Sequence, residues 1–145
     1  MSAVCCSSTY IVSTEHEAVG LWLQQQGAAY YRQGSTCLGL ARDGQLVAAT
    51  LYDNYNGSSI FANIAITGPI TRRWIWAIFH YPFVQLGVQV ICGLVAEGNT
   101  KSRHLVERLG FTLTATIPHA DPSGALLLYT IPKEHCRFLT GRDAQ

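Results

Sequence analysis

Apolar positions along this chain follow two rhythms, and elements begin and end where the rhythm changes. Residues 9–12 read as a short edge strand. Thr14-x-x-Glu17 then has the spacing of a capping box, in which the threonine hydroxyl accepts from a free backbone N–H at a helix start. Behind it Ala18, Val19, Trp22 and Leu23 fall on one helical face, and Gly27 closes the helix. Residues 28–34 keep neither rhythm: Tyr30 and Tyr31 either pack under a loop or extend the helix. From residue 36 the period drops to two. Strands 36–42, 45–55 and 58–66 are separated by Asp43-Gly44 and Asn56-Gly57, pairs that tolerate the positive φ of a tight hairpin. This is an antiparallel meander. In its third strand Ile60, Ala62, Ile64 and Ile66 share one face, and Phe61, Asn63 and Ala65 the other.

The helical period returns over 70–86. Pro69 suits its start, Pro82 should kink it, and its apolar residues run nearly all round, so it is expected to be buried. Residues 88–95 are almost continuously apolar, the pattern of a strand covered on both faces. After the polar break Ala96-Glu97-Gly98-Asn99, the Asn99 side chain can accept from a free N–H one turn on and so cap a helix. Leu105, Val106 and Leu109 form its apolar face, with Ser102 one turn earlier on the same face. Gly110 stops it, because glycine enters the left-handed conformation cheaply. Residues 111–117 and 125–131 pair around 118–124, and a short helix follows Pro132. Strand, helix, strand across 58–95 makes a βαβ unit with parallel strands and a right-handed crossover. The fold expected is one α/β domain over residues 1–145, a mixed, mostly antiparallel sheet with helices on both faces.

Composition narrows the function. A chain of 145 residues buries about two-thirds of its unfolded surface, enough for a core. Charged residues make up 13% and hydrophobic ones 48%, which argues against disorder and suggests a sticky surface and a homo-oligomer. The net charge of +1, with no basic stripe or basic amphipathic helix, excludes nucleic acid and membrane as partners. Residues 74–84 are apolar but too short to span a bilayer. The five cysteines, Cys5, Cys6, Cys37, Cys92 and Cys136, form no Cys-x-x-Cys pair, so neither a disulfide framework nor a metal site is signalled. Cys92, within an apolar strand, reads as core. With no secretion signal, a reducing cytoplasm is the expected compartment.

Two places could carry chemistry. The 68–73 loop leaves a strand and enters a helix, so its free N–H groups and the helix dipole make an anion site. Arg72 and Arg73 add charge that can pair with phosphate. The second place is Asn99 with Ser102 at the next helix start. No carboxylate lies within 58–66. Asp53, Glu134, His80, His119 and His135 are scattered groups that could take up a proton, and none is singled out.

The sequence Asn99-Thr100-Lys101-Ser102, followed by a helix ending Leu109-Gly110-Phe111, resembles the signature of the GCN5-related N-acetyltransferases (GNAT). The stretches 80–87 (HYPFVQLG) and 134–139 (EHCRFL) resemble small acetyltransferase-like proteins of bacteriophages. The resemblance spans roughly residues 72–139. It implies acetyl-CoA as cofactor and transfer of an acetyl group to a primary amine, whether a protein N-terminus, a lysine or a small amine. It also implies a central parallel strand pair, ending at Ile66 and at 95, that splays at its carboxyl ends. A pantetheine arm would pair there like a short strand. Coenzyme A would touch Ile64, Ala65, Ile66, Gly68, Thr71, Arg72, Arg73, Asn99 and Ser102. The thioester carbonyl would meet a backbone N–H of 64–66, and Ser102 would serve the leaving thiolate. Three departures stand against this. The glycine-rich phosphate loop of the family is reduced to Gly68, the family's usual tyrosine is Val106, and no base is evident. They leave a second reading: a GNAT-fold protein of bacteriophage type that binds and modulates a host protein. Trp74, Trp76, Phe79 and Tyr81 would supply its apolar patch.

Overall fold

Among the described residues, seven strands form one sheet in the order β1-β2-β3-β4-β5-β7-β6. The computed structural model describes residues 8–139. The strands are β1 (Thr9–Val12), β2 (Thr36–Arg42), β3 (Gln45–Asp53), β4 (Ser59–Ile66), β5 (Val90–Ala96), β6 (Thr112–Asp121) and β7 (Gly124–Pro132). The helices are α1 (His16–Gln25), α2 (Arg72–His80) and α3 (Thr100–Leu109). Every neighbouring pair is antiparallel except β4 and β5. This is the mixed, mostly antiparallel α/β sheet expected, with a parallel pair at its centre.

The two faces carry separate cores. Val19 and Leu23 of α1 pack on Cys37, Ala49 and Leu51. On the other face α2 and α3 cover Leu40, Ala48, Ile60, Ile91, Leu127 and Ile131. The period of two in β4 divides as expected, with Ile60, Ala62, Ile64 and Ile66 all meeting the α2 side. Trp74 and Phe79 are fully buried, and Trp76 and Tyr81 half-buried. The aromatic patch that supported a binding role is therefore mostly core.

Several boundaries move for physical reasons. The capping box at Thr14 does not form. Glu15 occupies the cap without a side-chain bond, and Nδ1 of His16 instead accepts from the Cys37 N–H at 2.9 Å, tying the helix start to β2. Asp43-Gly44 is a tight turn, with φ of 52° and 81°. Asn56-Gly57 is not. β3 stops at Asp53, Asn54 takes the positive φ of 56°, and the Asn56 carboxamide accepts from the N–H groups of Ser58 and Ser59 at 2.9 and 2.8 Å. Tyr31 packs against α1 where Gly20 leaves room: a Cβ there would sit 2.2 Å from its ring. Tyr30 is 81% exposed.

The long helix expected over 70–86 is α2 followed by a π turn, Tyr81–Gln85, and the segment after Pro132 is two 3₁₀ turns, Lys133–His135 and Arg137–Leu139. β5 is not covered on both faces. Ile91 and Val95 are buried, but Cys92 is half-buried and Leu94 is 39% exposed, because α1 does not reach that far across the sheet. Cys5 and Cys6 lie outside the described residues. Among the described residues, no helix is long and apolar enough to cross a membrane.

Candidate active site

Strands β4 and β5 pair only at Ser59 with Val90, Ile60 with Ile91 and Phe61 with Cys92. Both strands then continue, β4 to Ile66 and β5 to Ala96, each still paired on its outer side. Their inner edges separate and leave backbone donors and acceptors without a strand partner. The splay expected at the carboxyl ends is present. Gly93 is the first residue beyond the ladder, and a Cβ there would stand 3.4 Å from the Ala62 carbonyl oxygen. Glycine keeps the vertex of the gap open.

A cleft of about 510 Å³ fills this gap. Residues 61–64 and 93–96 form its walls. Asn99, Ser102 and Val106 of α3 line it from one face of the sheet, and residues 27–30, Arg32 and Asp53 line it from the α1 side. The cleft therefore has a mouth on each face.

α3 is held at this position by local and long-range bonds. The Asn99 side chain accepts from the Ser102 N–H at 3.1 Å, and Gly110 closes the helix at φ 104°. Arg103 donates to the Glu97 carbonyl at 3.1 Å, and the Tyr129 hydroxyl of β7 donates to Glu107 at 2.7 Å. These bonds fix where Ser102 sits along the cleft.

At the start of α2, Thr71 is the N-cap and accepts from the Trp74 N–H at 3.1 Å. Buried Trp74 in turn donates its indole N–H to the Leu38 carbonyl. Arg72 and Arg73 are both exposed. Arg73 lines a second cleft, between α2 and the β1–β2 edge, with Trp76, His80 and His16. There the Trp76 and His80 rings stack at 4.2 Å.

Of the residues singled out from sequence, Ile64, Asn99 and Ser102 meet in the central cleft. Ala65 packs toward α1 and Ile66 toward α2. Gly68 sits over Val47 and Thr71 caps α2. Gly68, Thr71, Arg72 and Arg73 do not line the central cleft.

Of the scattered candidates for a base, Asp53 alone lines it. Burial pushes the Asp53 carboxyl above its ordinary value, and nearby Arg32 pulls it partly back. Asp121 stands at the rim, where two bonds from Ser123 hold it below the usual carboxylate range. Arg32, Gly93 and Asp121 were not found from sequence. Gly93, a lone glycine in an apolar run, carried the one available signal, since such a glycine marks close backbone approach.

The sequence matches no family model and no curated protein. Solved structures do match. A point mutant of the spermidine N-acetyltransferase from Vibrio cholerae superposes with a TM-score of 0.69 at 15% identity, over 91% of this chain and 96% of that one. A Salmonella typhimurium protein assigned as an acetyltransferase, solved with its cofactor acetyl-CoA, gives 0.64 at 13% identity, over 86% and 93%. A protein assigned as a phosphinothricin N-acetyltransferase gives 0.62 at 14%, over 86% and 98%. The chain has an N-acetyltransferase fold. At these identities the likeness is one of architecture, so the chemistry rests on the cleft.

Proposed function

We propose that this protein transfers an acetyl group from acetyl-CoA to a primary amine. One observation carries the reading: the gap between β4 and β5 opens on both faces of the sheet, so donor and acceptor can enter from opposite sides. The residues present fit the donor. An extended arm finds unpaired strand edges on β4 and β5, and Gly93 leaves the vertex free of a side chain. Acetyl-CoA, when bound, supplies an acyl group on a good leaving thiolate.

The residues then divide the work. The N–H groups of 68–73 and the Arg72 guanidinium bind the phosphates at the α2 start. A backbone N–H of Ile64, Ala65 or Ile66 donates to the carbonyl oxygen as charge develops there. Asn99 holds the α3 start in register, and Ser102 donates toward the leaving sulfur in place of the tyrosine that Val106 replaces. The described thiols Cys37, Cys92 and Cys136 are unpaired, which suits a reducing cytoplasm.

Calorimetry with acetyl-CoA, followed by an assay of thiol release with amines, tests the reading. Binding and amine-dependent release are expected. No binding at millimolar acetyl-CoA overturns it.

A further inference from the structure

β4 carries no carboxylate between Ser59 and Ile66, but the strand beside it does, at its last residue. Asp53 pairs across the sheet with Phe61, and Phe61 pairs with Cys92. The three make one row over β3, β4 and β5, the last row before the gap opens. At about 4.8 Å per strand, Asp53 stands roughly 10 Å from β5 in the plane of the sheet. Side chains alternate along a strand, and Ala49 and Leu51 pack against α1, so Asp53 projects to that same face. That is the face opposite α3 and Ser102.

We propose that Asp53 is the acceptor-side proton acceptor, drawing the ammonium to the α1 mouth of the cleft and taking its proton through water. This rests on the acetyl-transfer reading above and assigns the base that β4 lacks. Among the described residues, the charged groups lining the cleft with Asp53 are Arg32, from the loop after α1, and Asp121, at the rim. β4 and α3 present neutral Phe61, Asn63, Asn99 and Ser102. Two carboxylates against one guanidinium leave the cleft net negative, which favours a cationic acceptor over an anionic one. Burial favours the protonated acid, and a carboxylate so poised is a better base near neutrality than an exposed one.

The step balances as follows. The acceptor ammonium gives one proton, relayed through water, to the Asp53 carboxylate, leaving a free amine and a carboxylic acid. The nitrogen lone pair forms the C–N bond at the thioester carbonyl carbon. The C–S bond breaks with its electron pair on sulfur, and a second proton from nitrogen ends on that sulfur by way of Ser102. Asp53 then returns its proton to solvent through the α1 mouth.

The test compares wild type with Asp53→Asn and Asp53→Glu, using acetyl-CoA with spermidine or ethylamine as probe amines. In Asp53→Asn, kcat should fall about 100-fold or more with the KM for acetyl-CoA unchanged. The acidic limb of the kcat/KM profile should vanish, and Asp53→Glu should restore part of the rate and the limb. Carboxyl-carbon NMR of the protein loaded with coenzyme A gives a readout independent of turnover. Either amine should lower the Asp53 titration midpoint, because an ammonium alongside favours the carboxylate. Wild-type turnover in Asp53→Asn, or an Asp53 titration that neither amine moves, overturns the role. Failure of the wild type to bind acetyl-CoA at all overturns the underlying reading instead.

Discussion

The Tyr52 hydroxyl of β3 donates to the backbone carbonyl of Ile78 in α2. In an unbroken α-helix that carbonyl would receive the N–H of residue 82, which is Pro82 and has none. The helix continues as a π turn, with the Leu86 N–H reaching the Tyr81 carbonyl at 3.0 Å. The kink expected at Pro82 is thus a change of helix type, and a side chain from the sheet serves the carbonyl the proline leaves. Tyr52→Phe should lower stability by about 1–3 kcal/mol, since it strands a buried acceptor. In a Pro82→Ala background the loss should shrink, because the restored N–H can take over. Urea unfolding of the four proteins decides it. Additive losses would show that Tyr52 and Pro82 are unrelated.

Arg72 and Arg73 are neighbours in sequence but lie about 100° apart around α2. Arg73 belongs to the second cleft, beside Trp76 and His80. Arg72→Ala should therefore weaken coenzyme A binding by about 1.5–3 kcal/mol, and Arg73→Ala by much less. Titration calorimetry on both variants would show the split. Equal losses would put both guanidinium groups on the phosphates.

Ser102→Ala keeps the N–H that Asn99 accepts and removes only the hydroxyl. Helix α3 should survive, and acetyl-CoA affinity should change little. Turnover should fall about 10-fold or more, the mark of a contact made in the transition state. A variant with unchanged kcat would reduce Ser102 to a first-turn helix residue.

Asp53 also bears on stability. Folding raises its pKa, with burial as the main cause and Arg32 opposing. A group raised on folding favours the folded state while protonated. That contribution is full below the unfolded value and is lost as pH rises through the folded one. Wild-type stability should therefore lose this contribution as pH climbs above the ordinary aspartate range. Asp53→Asn should lack that loss and melt higher than wild type at neutral pH. Thermal melts across the acidic to neutral range check the sign, and a lower melting point for the variant at neutral pH would contradict it.

What was legible in the sequence was what short segments decide alone. Asn99 and Gly110 bracket α3 because caps act within one turn, and Asp43-Gly44 turns because its two φ values need no outside help. Thr14 and Asn56 misled for the opposite reason. His16 is drawn to Cys37 on β2, and the Asn56 side chain bonds its own loop. The site divides along the same line. Asn99 and Ser102 come from one local motif, whereas Arg32, Asp53 and Asp121 reach the cleft from three distant segments. Nothing in a linear pattern joins those three: the register of β3 with β4 places Asp53, the hairpin of β6 with β7 places Asp121, and the loop after α1 brings Arg32.

The short ladder between β4 and β5 also divides the molecule as a folding object. Residues 9–66 build β1 to β4, residues 90–132 build β5 to β7, and three residue pairs join the two sets of strands. On one face a common core under α2 spans both sets. That short ladder is the seam of the sheet, with antiparallel neighbours on either side, and amide exchange should sort into two groups of protection along it. An occupant bonded to both edges of the gap would make the halves open together, so its arrival should be readable as a merging of the two groups into one.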